Sequence, residues 1–476
     1  MKTAIVSFIL VFNYFVGAYF AILNTILAFL LTLSLFAILR HIQRIKYAPI
    51  EDFHTSPQTP PVSILIPVHN EEKIVLGSVR AALAGDYPLF EVIVINDGSN
   101  DNTLHILIEE FQLKKIDRVY RERLETETVK GFYASGDVPN LLVIDKIQGG
   151  KADALNSGIN ASRCPYFCSV DADSFLEKDA LIRIMTPVIE SSIPVVACGG
   201  VVRILNGVRL TDDMTIHEID LPENKLIVFQ IVEYIRGFLF GRVGWDALNS
   251  LLILSGAFSL FQKQAVIDTG GFRVGNVSED MEMIVRLHHY KRQQGKPYRI
   301  RFISDPICWT EVPEHLTMLA RQRRRWHLGL IQSICENRVM LFNPLYGTIG
   351  MVVMPYYVVF EIVGPLVEVV GYAVVSISFA LGLLSIRFLA LFFTLAIIYG
   401  IFLSTAGIFL EELTYRRYPR WRHMFRLLFY GVIENFGYRQ LNSFWRLQAV
   451  VNYMTGRTRW EYVQHKGKRP MKGGLQ

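Results

Sequence analysis

Two long apolar blocks, residues 4–39 and 347–410, bracket a middle stretch whose hydrophobic positions come in short runs. A membrane-spanning helix needs roughly 20 apolar residues, and each block is long enough. The first predicts one anchor helix. Its basic flank (Arg40, Arg44, Lys46) lies only on the C-terminal side, which favours a single span with the N-terminus outside. It is too long for a removable signal peptide and lacks a small-residue cleavage site. In 347–379, Pro355, Glu361, Pro365 and Glu368 interrupt the apolar pattern. Ionisable groups in hydrocarbon usually face the protein interior, so this part is expected at the interface or lining a polar cavity. Residues 388–410 form the cleanest span. Residues 424–454, broken by Glu434, Asn435, Arg439, Gln440, Asn442 and Arg446, read as a re-entrant pair of helices. Three or four spans are expected by this length criterion.

Between the blocks, Pro57, Pro60 and Pro61 mark a linker, after which strand and helix patterns alternate. The apolar runs 62–67, 90–95, 141–144, 166–170 and 195–202 predict buried strands, and 71–84 predicts a helix. Continuous apolar runs separated by helices imply an α/β fold with a mostly parallel sheet covered on both faces. Ligands of such sheets bind beyond the carboxyl ends of the strands. The charged segment within 114–139, DRVYRERLETETVK, shows no core face and reads as a solvated insertion, either an exposed helix or an ordered loop. The expected organisation is an anchor (1–47), a cytosolic α/β domain (48–313), interfacial amphipathic helices (314–346), a transmembrane and re-entrant region (347–456) and a basic tail (457–476).

Composition sharpens this picture. Apolar residues make up 51% of the chain and charged ones 19%, and the excess of apolar residues lies in the two blocks. The net charge of +6 is carried largely beside hydrophobic segments, by the first flank, by Arg416, Arg417, Arg420 and Arg422, and by Arg457, Arg459, Lys466, Lys468 and Arg469. That placement fits cytoplasmic loops at a membrane surface rather than nucleic-acid binding. The five cysteines (Cys164, Cys168, Cys198, Cys308, Cys335) are expected to be reduced and mostly buried. Cys164 and Cys168 lack two further ligands at zinc-site spacing.

Five polar stations follow the apolar runs in order. Pro67-Val68-His69-Asn70-Glu71 and Asn96-Asp97-Gly98-Ser99 end the first two strands. An acceptor there can take a nucleobase N–H, and Gly98 permits a tight turn, although Asp-Gly-Ser is also an ordinary turn and cap. Gly149-Gly150-Lys151-Ala152-Asp153-Ala154-Leu155-Asn156 opens a helix with exposed N–H groups and a cation suited to a nucleotide, without P-loop spacing. Ser169-Val170-Asp171-Ala172-Asp173-Ser174 runs a strand into two carboxylates. Alternation puts Asp171 and Asp173 on one side, a hard-donor pair suited to Mg²⁺ or Mn²⁺ bridging a diphosphate. Val277-Ser278-Glu279-Asp280 opens another helix, and Gln322-Arg323-Arg324-Arg325-Trp326 follows beside the membrane blocks. That last run also suits a basic interfacial helix, with Arg325 and Trp326 turned inward and Arg321 or Arg324 toward lipid head groups.

Taken together, the five stations resemble the processive family-2 glycosyltransferases: the cellulose, hyaluronan and, most closely, bacterial poly-N-acetylglucosamine synthases. The motif likeness covers roughly 62–330. It implies a GT-A, Rossmann-like catalytic domain set between membrane helices, and an inverting hexosyltransferase that builds an exopolysaccharide from a UDP-sugar, most closely UDP-GlcNAc. Glu71 and Asp97 would hold uridine. Lys151 and Arg325 would contact the nucleotide and its diphosphate, and Asp171 and Asp173 the sugar diphosphate and metal. The family's Thr-Glu-Asp stands here as Ser278-Glu279-Asp280, with Asp280 the general base and Glu279 beside it in the catalytic pair. Ser255 and Gly256 (in Ser255-Gly256-Ala257-Phe258), Gln322 and Trp326 would serve the acceptor. The implied partners are the UDP-sugar, the growing polysaccharide, membrane lipid and accessory synthase or export subunits, in a multi-pass protein of the cytoplasmic membrane. The gating loop of cellulose synthases is not recognisable, which makes cellulose the less expected product. Competing expectations are a transferase adding one sugar to a lipid or glycan, and a channel lined by Glu361, Glu368, Glu434 and Arg439.

Overall fold

The computed structural model describes residues 2–47, 59–211, 216–415, 418 and 420–456. Pro57, Arg416, Arg417 and the basic tail at 457–476 lie outside the described residues. The chain divides into two compact units.

One unit takes in the described residues of His41–Leu221 and Leu248–Val312. Its strands are β1 (Val62–Val68), β2 (Phe90–Asp97), β3 (Lys114–Ile116), β4 (Val129–Ala134), β5 (Leu141–Lys146), β6 (Tyr166–Val170), β7 (Ser174–Leu176), β8 (Val195–Ile204), β9 (Val208–Leu210), β10 (Ile216–Ile219), β11 (Phe258–Gln262) and β12 (Arg299–Thr310). Ten of them form one sheet, ordered β3-β4-β5-β2-β1-β6-β11-β8-β12-β7, and β9 pairs with β10. The run β5-β2-β1-β6 is parallel throughout, as is β8 with β12. β11 enters antiparallel between β6 and β8. Most of the paired length is thus parallel, as the apolar runs predict.

Those runs are strands because both of their faces are buried. Ile64, Leu65 and Ile66 of β1 and Val92 to Ile95 of β2 expose nothing to solvent. Each such side chain contributes about 1.5–3 kcal/mol on burial. The helix Lys151–Ala161 lies close against this face. A Cβ at Gly158 would stand 3.0 Å from Ile95 Cδ1 and 3.2 Å from Leu65, so a side chain there would press both neighbours outward.

Of the two expectations for the 114–139 segment, the structure has the ordered loop, at residues 117–128, set between two strands. β3 and β4 pair antiparallel with each other, and β4 pairs with β5, extending the sheet at its edge. The intervening chain is pinned to the Lys151–Ala161 helix: Asn160 Oδ1 accepts from the N–H groups of Arg123 and Leu124, and its Nδ2 donates to Leu124 O. An edge strand buries few residues, which is why no core face is visible in its sequence.

The other unit takes in the described residues of Met1–Arg40, Pro222–Ala247 and Pro313–Val463. It is helical, and it draws in a piece from the middle of the 48–313 stretch. Lys2–Tyr47 is a single helix of 46 residues. Among the described residues, two helices are long and apolar enough to span a membrane, Val6–Arg44 and Ile386–Thr414, and Ile349–Ile362 with Gly364–Ala380 makes a third if the pair, bent by 43°, counts as one. Pro365 stands in the first turn after the bend. The interrupted 424–454 stretch is two helices, Trp421–Ile433 and Tyr438–Met454.

Several polar groups inside this unit find partners, which offsets the cost of an apolar surrounding. Asn13 Nδ2 donates to Ser378 Oγ at 3.0 Å and Asn24 Nδ2 to Leu395 O at 2.8 Å. Glu361 accepts from Arg446 at 2.7 Å, Glu368 from Ser443, and the fully buried Glu434 from Arg236 and Ser404.

In the α/β unit, His288 of the Glu279–Gln293 helix is fully buried. One ring nitrogen lies 2.9 Å from Leu251 O and must donate to it, so the other accepts from Tyr298 Oη at 2.6 Å. Burial lowers its pKa to about 4, with the Leu251 hydrogen bond opposing and Arg292 adding to the drop. The unfolded chain therefore binds this proton first as pH falls, and stability is lost between about pH 6.5 and 4. A pH series of melting temperatures should show a steeper acid loss in wild type than in His288→Asn, by one proton's linkage. Parallel slopes would refute this.

Candidate active site

Because β1, β2, β5 and β6 run parallel, their carboxyl ends share one edge of the sheet. Glu71, Asp97, Lys146 and Asp171 stand at or just beyond those ends. Lys151 joins them from the helix that β5 feeds. Gly150 caps that helix at φ 90°, ψ 169°, a backbone region in which side chains are strained. A Cβ at Gly149 would fall 2.6 Å from Asp153 Cγ.

The Lys151 ammonium lies 2.6 Å from Asp171 Oδ1 and 2.8 Å from Glu279 Oε1. Burial works against its charge, but Asp171, Glu279 and Asp280 together hold its pKa above the usual lysine range. Glu279, Asp280 and Glu282 occupy the first turn of the Glu279–Gln293 helix, where the helix dipole favours carboxylates. Gly256 closes the group: a Cβ there would stand 3.1 Å from both Asp280 Oδ2 and Lys151 Nζ. The predicted residues Lys151, Asp171, Gly256, Glu279 and Asp280 thus meet at one point, and Ser255 precedes Gly256 in the same loop.

Carboxylates crowd this end of the sheet. Burial pushes Glu71 up to about 8, helped by Asp173, Asp101, Asp171 and Glu311. Asp171 is pushed up to about 6 by burial, with Lys151 pulling it down and Asp173 adding to the rise. Among the described residues no group of three His, Cys, Asp or Glu side chains is arranged to hold a metal ion. The donor set nonetheless suits a hard divalent cation, because Mg²⁺ characteristically takes one or two carboxylates and completes its shell with phosphates and water. Asp171 and Asp173 offer two carboxylates of that kind, and added positive charge would offset the carboxylates that add to the effect of burial on Glu71.

Asp97, expected to hold uridine, is 4% exposed. Its Oδ1 accepts from Lys146 Nζ at 2.9 Å and from Gly149 N–H at 2.8 Å, and its Oδ2 from Gly150 N–H at 2.7 Å. Lys146 escaped sequence reasoning as the last residue of an apolar strand. The signal available was its register, since Lys146 pairs with Asp97 across β5 and β2.

Gln322, Arg325 and Trp326 lie on the Leu316–Glu336 helix and belong to the helical unit. Trp326 is 37% exposed, not turned inward. Arg323 takes the interior position, 5% exposed, because Glu233 accepts from it at 2.8 Å, and it stacks over the Trp326 ring at 4.4 Å. Gln322 is buried, and its Oε1 accepts no hydrogen bond among the described residues.

Two family models match the chain: glycosyl transferase family 2 over residues 63–269 and glycosyl transferase family group 2 over residues 168–410. Among curated proteins, poly-beta-1,6-N-acetyl-D-glucosamine synthase of Staphylococcus epidermidis is 27% identical over 268 residues, covering 56% of this chain and 54% of the relative. The protein of the same name from Staphylococcus aureus strain COL is 26% identical over 269 residues, again covering 56% and 54%. The chain therefore spans about half the length of the curated relatives it matches. Among solved structures, a mannosyltransferase of Pyrobaculum calidifontis, in complex with GDP-mannose and Mn²⁺, aligns with TM-score 0.50 at 16% identity, covering 87% of this chain and 99% of that one. That likeness is one of fold, and the α/β unit is GT-A-like.

A misplacement of about 1 Å in an active site can cost about 10²-fold in rate. Gly256→Val, whose methyls must displace Asp280 or Lys151, should lower sugar-nucleotide turnover by about that factor, and Gly256→Ala by clearly less. Unchanged turnover in the valine variant would show that the loop does not border the reacting atoms.

Proposed function

The chain belongs to the family-2 glycosyltransferases, and from that premise we propose that it is a membrane-integrated processive polymerase that builds a β-linked polysaccharide from UDP-GlcNAc. The observation that carries this reading is the Lys151 ammonium shared between Asp171 and Glu279. It draws the aspartate pair suited to a diphosphate and the helix start bearing Asp280 to one cation. Donor phosphates and acceptor hydroxyl can then be served side by side.

Asp280 takes the proton from the acceptor hydroxyl, which attacks the anomeric carbon as UDP departs, so that configuration inverts. Lys151 meets the phosphates, Arg325 adds a bidentate positive contact, and Glu71 borders the nucleoside. Glu279 keeps Lys151 in place. Asp171 and Asp173 would hold Mg²⁺ or Mn²⁺, which when bound supplies Lewis-acid stabilisation of the leaving diphosphate. Ser255, Gly256, Gln322 and Trp326 serve the acceptor chain. The two long apolar helices support a multi-pass protein of the cytoplasmic membrane. In this reading the α/β unit faces the cytosol, and the polymer leaves by way of the helical unit.

The test is UDP release by the purified full chain with UDP-GlcNAc, UDP-glucose and UDP-glucuronate, followed by product sizing and linkage analysis. A β-linked polymer from UDP-GlcNAc is expected. Single-sugar products, or no UDP release from any donor, would overturn the proposal. Loss of a general base typically lowers rate by roughly 10²–10⁴-fold, so Asp280→Asn should lose that much turnover while binding UDP within about threefold of wild type.

A further inference from the structure

We propose that Lys146, a residue outside the donor and acceptor sets above, is a positioning residue that works through Asp97 to hold the Gly149-Gly150 turn and so to aim Lys151. The inference rests on the reading of this edge of the sheet as the donor site.

Lys146 exposes nothing to solvent. Its ammonium donates to Asp97 Oδ1 at 2.9 Å and to its neighbour's carbonyl, Ile147 O, at 2.5 Å, and forms an ion pair with Asp153 Oδ1 at 2.5 Å. A buried charge of this kind is tolerable only when fully partnered. Each partner leads to a different piece of the loop. Asp97 ends β2, and its two oxygens hold the N–H groups of Gly149 and Gly150. Asp153 lies in the first turn of the helix that Lys151 opens. Its Oδ2 also accepts from Glu127 N–H at 3.0 Å, which ties in the edge segment. The turn is packed as tightly from above, since a Cβ at Gly98 would stand 2.8 Å from Gln148 N.

The electrostatics explain why a lysine is needed. Asp97 and Asp153 are 4% and 5% exposed, and the Lys146 ammonium lies between their two side chains, 2.9 Å and 2.5 Å from them. A cation there favours the charge-assisted form of the bonds from Gly149 and Gly150 to Asp97, which are stronger than neutral ones. Those bonds set the start of the helix. Lys151 is the next residue after Gly150, and its ammonium reaches Asp171 and Glu279 from there. The two lysines thus divide the work. Lys146 is sealed under the turn, while the Lys151 side chain, 33% exposed, faces the site.

The experiment reads the turn directly. Hydrogen–deuterium exchange of the full chain in detergent should show the Gly149 and Gly150 amides protected in wild type. Exchange there should be about tenfold faster or more in Lys146→Met, the scale of losing charge-assisted hydrogen bonds, with the β1 and β2 amides unchanged. Should Lys146→Met fail to fold, Lys146→Met with Asp153→Asn keeps the cluster's net charge and is expected to show the same loosened turn. Unchanged exchange at Gly149 and Gly150 would overturn the proposal, whatever the activity.

A kinetic cycle supplies the second readout. Lys146→Met should raise the donor KM and lower kcat about tenfold. Combined with Lys151→Met, it should cost nothing beyond Lys151→Met alone, because it acts through that residue. Losses that multiply would mean that Lys146 serves the donor independently, and the proposal would fall. Absence of UDP release from wild type would instead count against the donor-site reading, leaving the exchange result to decide the role of Lys146.

Discussion

The Lys151 ammonium is the interaction on which the polar end of the α/β unit depends. Parallel strands end at one edge, and carboxylates gather at and just beyond it. Glu71, Asp171, Asp173, Glu279, Asp280 and Glu311 all act on this neighbourhood. Burial raises Glu71 and Asp171, and like charges so close, which disfavour one another's ionisation, add to the rise. One lysine shared by Asp171 and Glu279 offsets part of it. The remainder is an unspent attraction for positive charge, which a divalent cation entering with a diphosphate would satisfy.

The same logic operates one layer deeper, with a different outcome. Lys146 is also a cation between two carboxylates, but its charge is already partnered inside the protein by Asp97, Asp153 and the Ile147 carbonyl. A closed cluster holds geometry; an open one has capacity left for a ligand. The distinction lies in exposure rather than in residue type, since both clusters are a lysine between acids. It also accounts for the glycines. Gly149 and Gly150 lie at the boundary between the layers, where backbone N–H groups must turn down onto Asp97 and no side chain fits at Gly149.

Much of this was legible in the sequence. The five apolar runs became strands with nearly the expected ends, because burial on both faces leaves a continuous hydrophobic signature. The Asp171 and Glu279-Asp280 stations meet where topology sends strand ends and helix starts. What stayed hidden depends on partners distant along the chain. β3 and β4 carry too few buried residues to declare themselves, and Lys146 looks like a strand terminus until its register with Asp97 is known. Trp326 was expected inward, yet Arg323 holds that place, a preference set by Glu233, 90 residues away. Single-sequence patterning detects periodicity, and a long-range ion pair has none.

The helical unit shows how such pairs can override hydropathy. The Lys225–Arg236 helix comes from the middle of a stretch that composition assigns to the α/β domain, and it is no membrane span by length. It still belongs to the helical unit, and two charges one turn apart anchor it. Glu233 accepts from Arg323 at 2.8 Å and from Tyr438 Oη at 2.9 Å. Arg236 donates to Glu434 and Ser404. Removing one partner of a buried pair leaves the other charge bare, at a cost of about 3–5 kcal/mol, so each pair resists separation even where it adds little net stability. The charges that interrupt the apolar blocks in the sequence are therefore the cross-links of the folded unit. They fix which helices are neighbours, a specificity that apolar surfaces alone, each as good a partner as the next, would not supply.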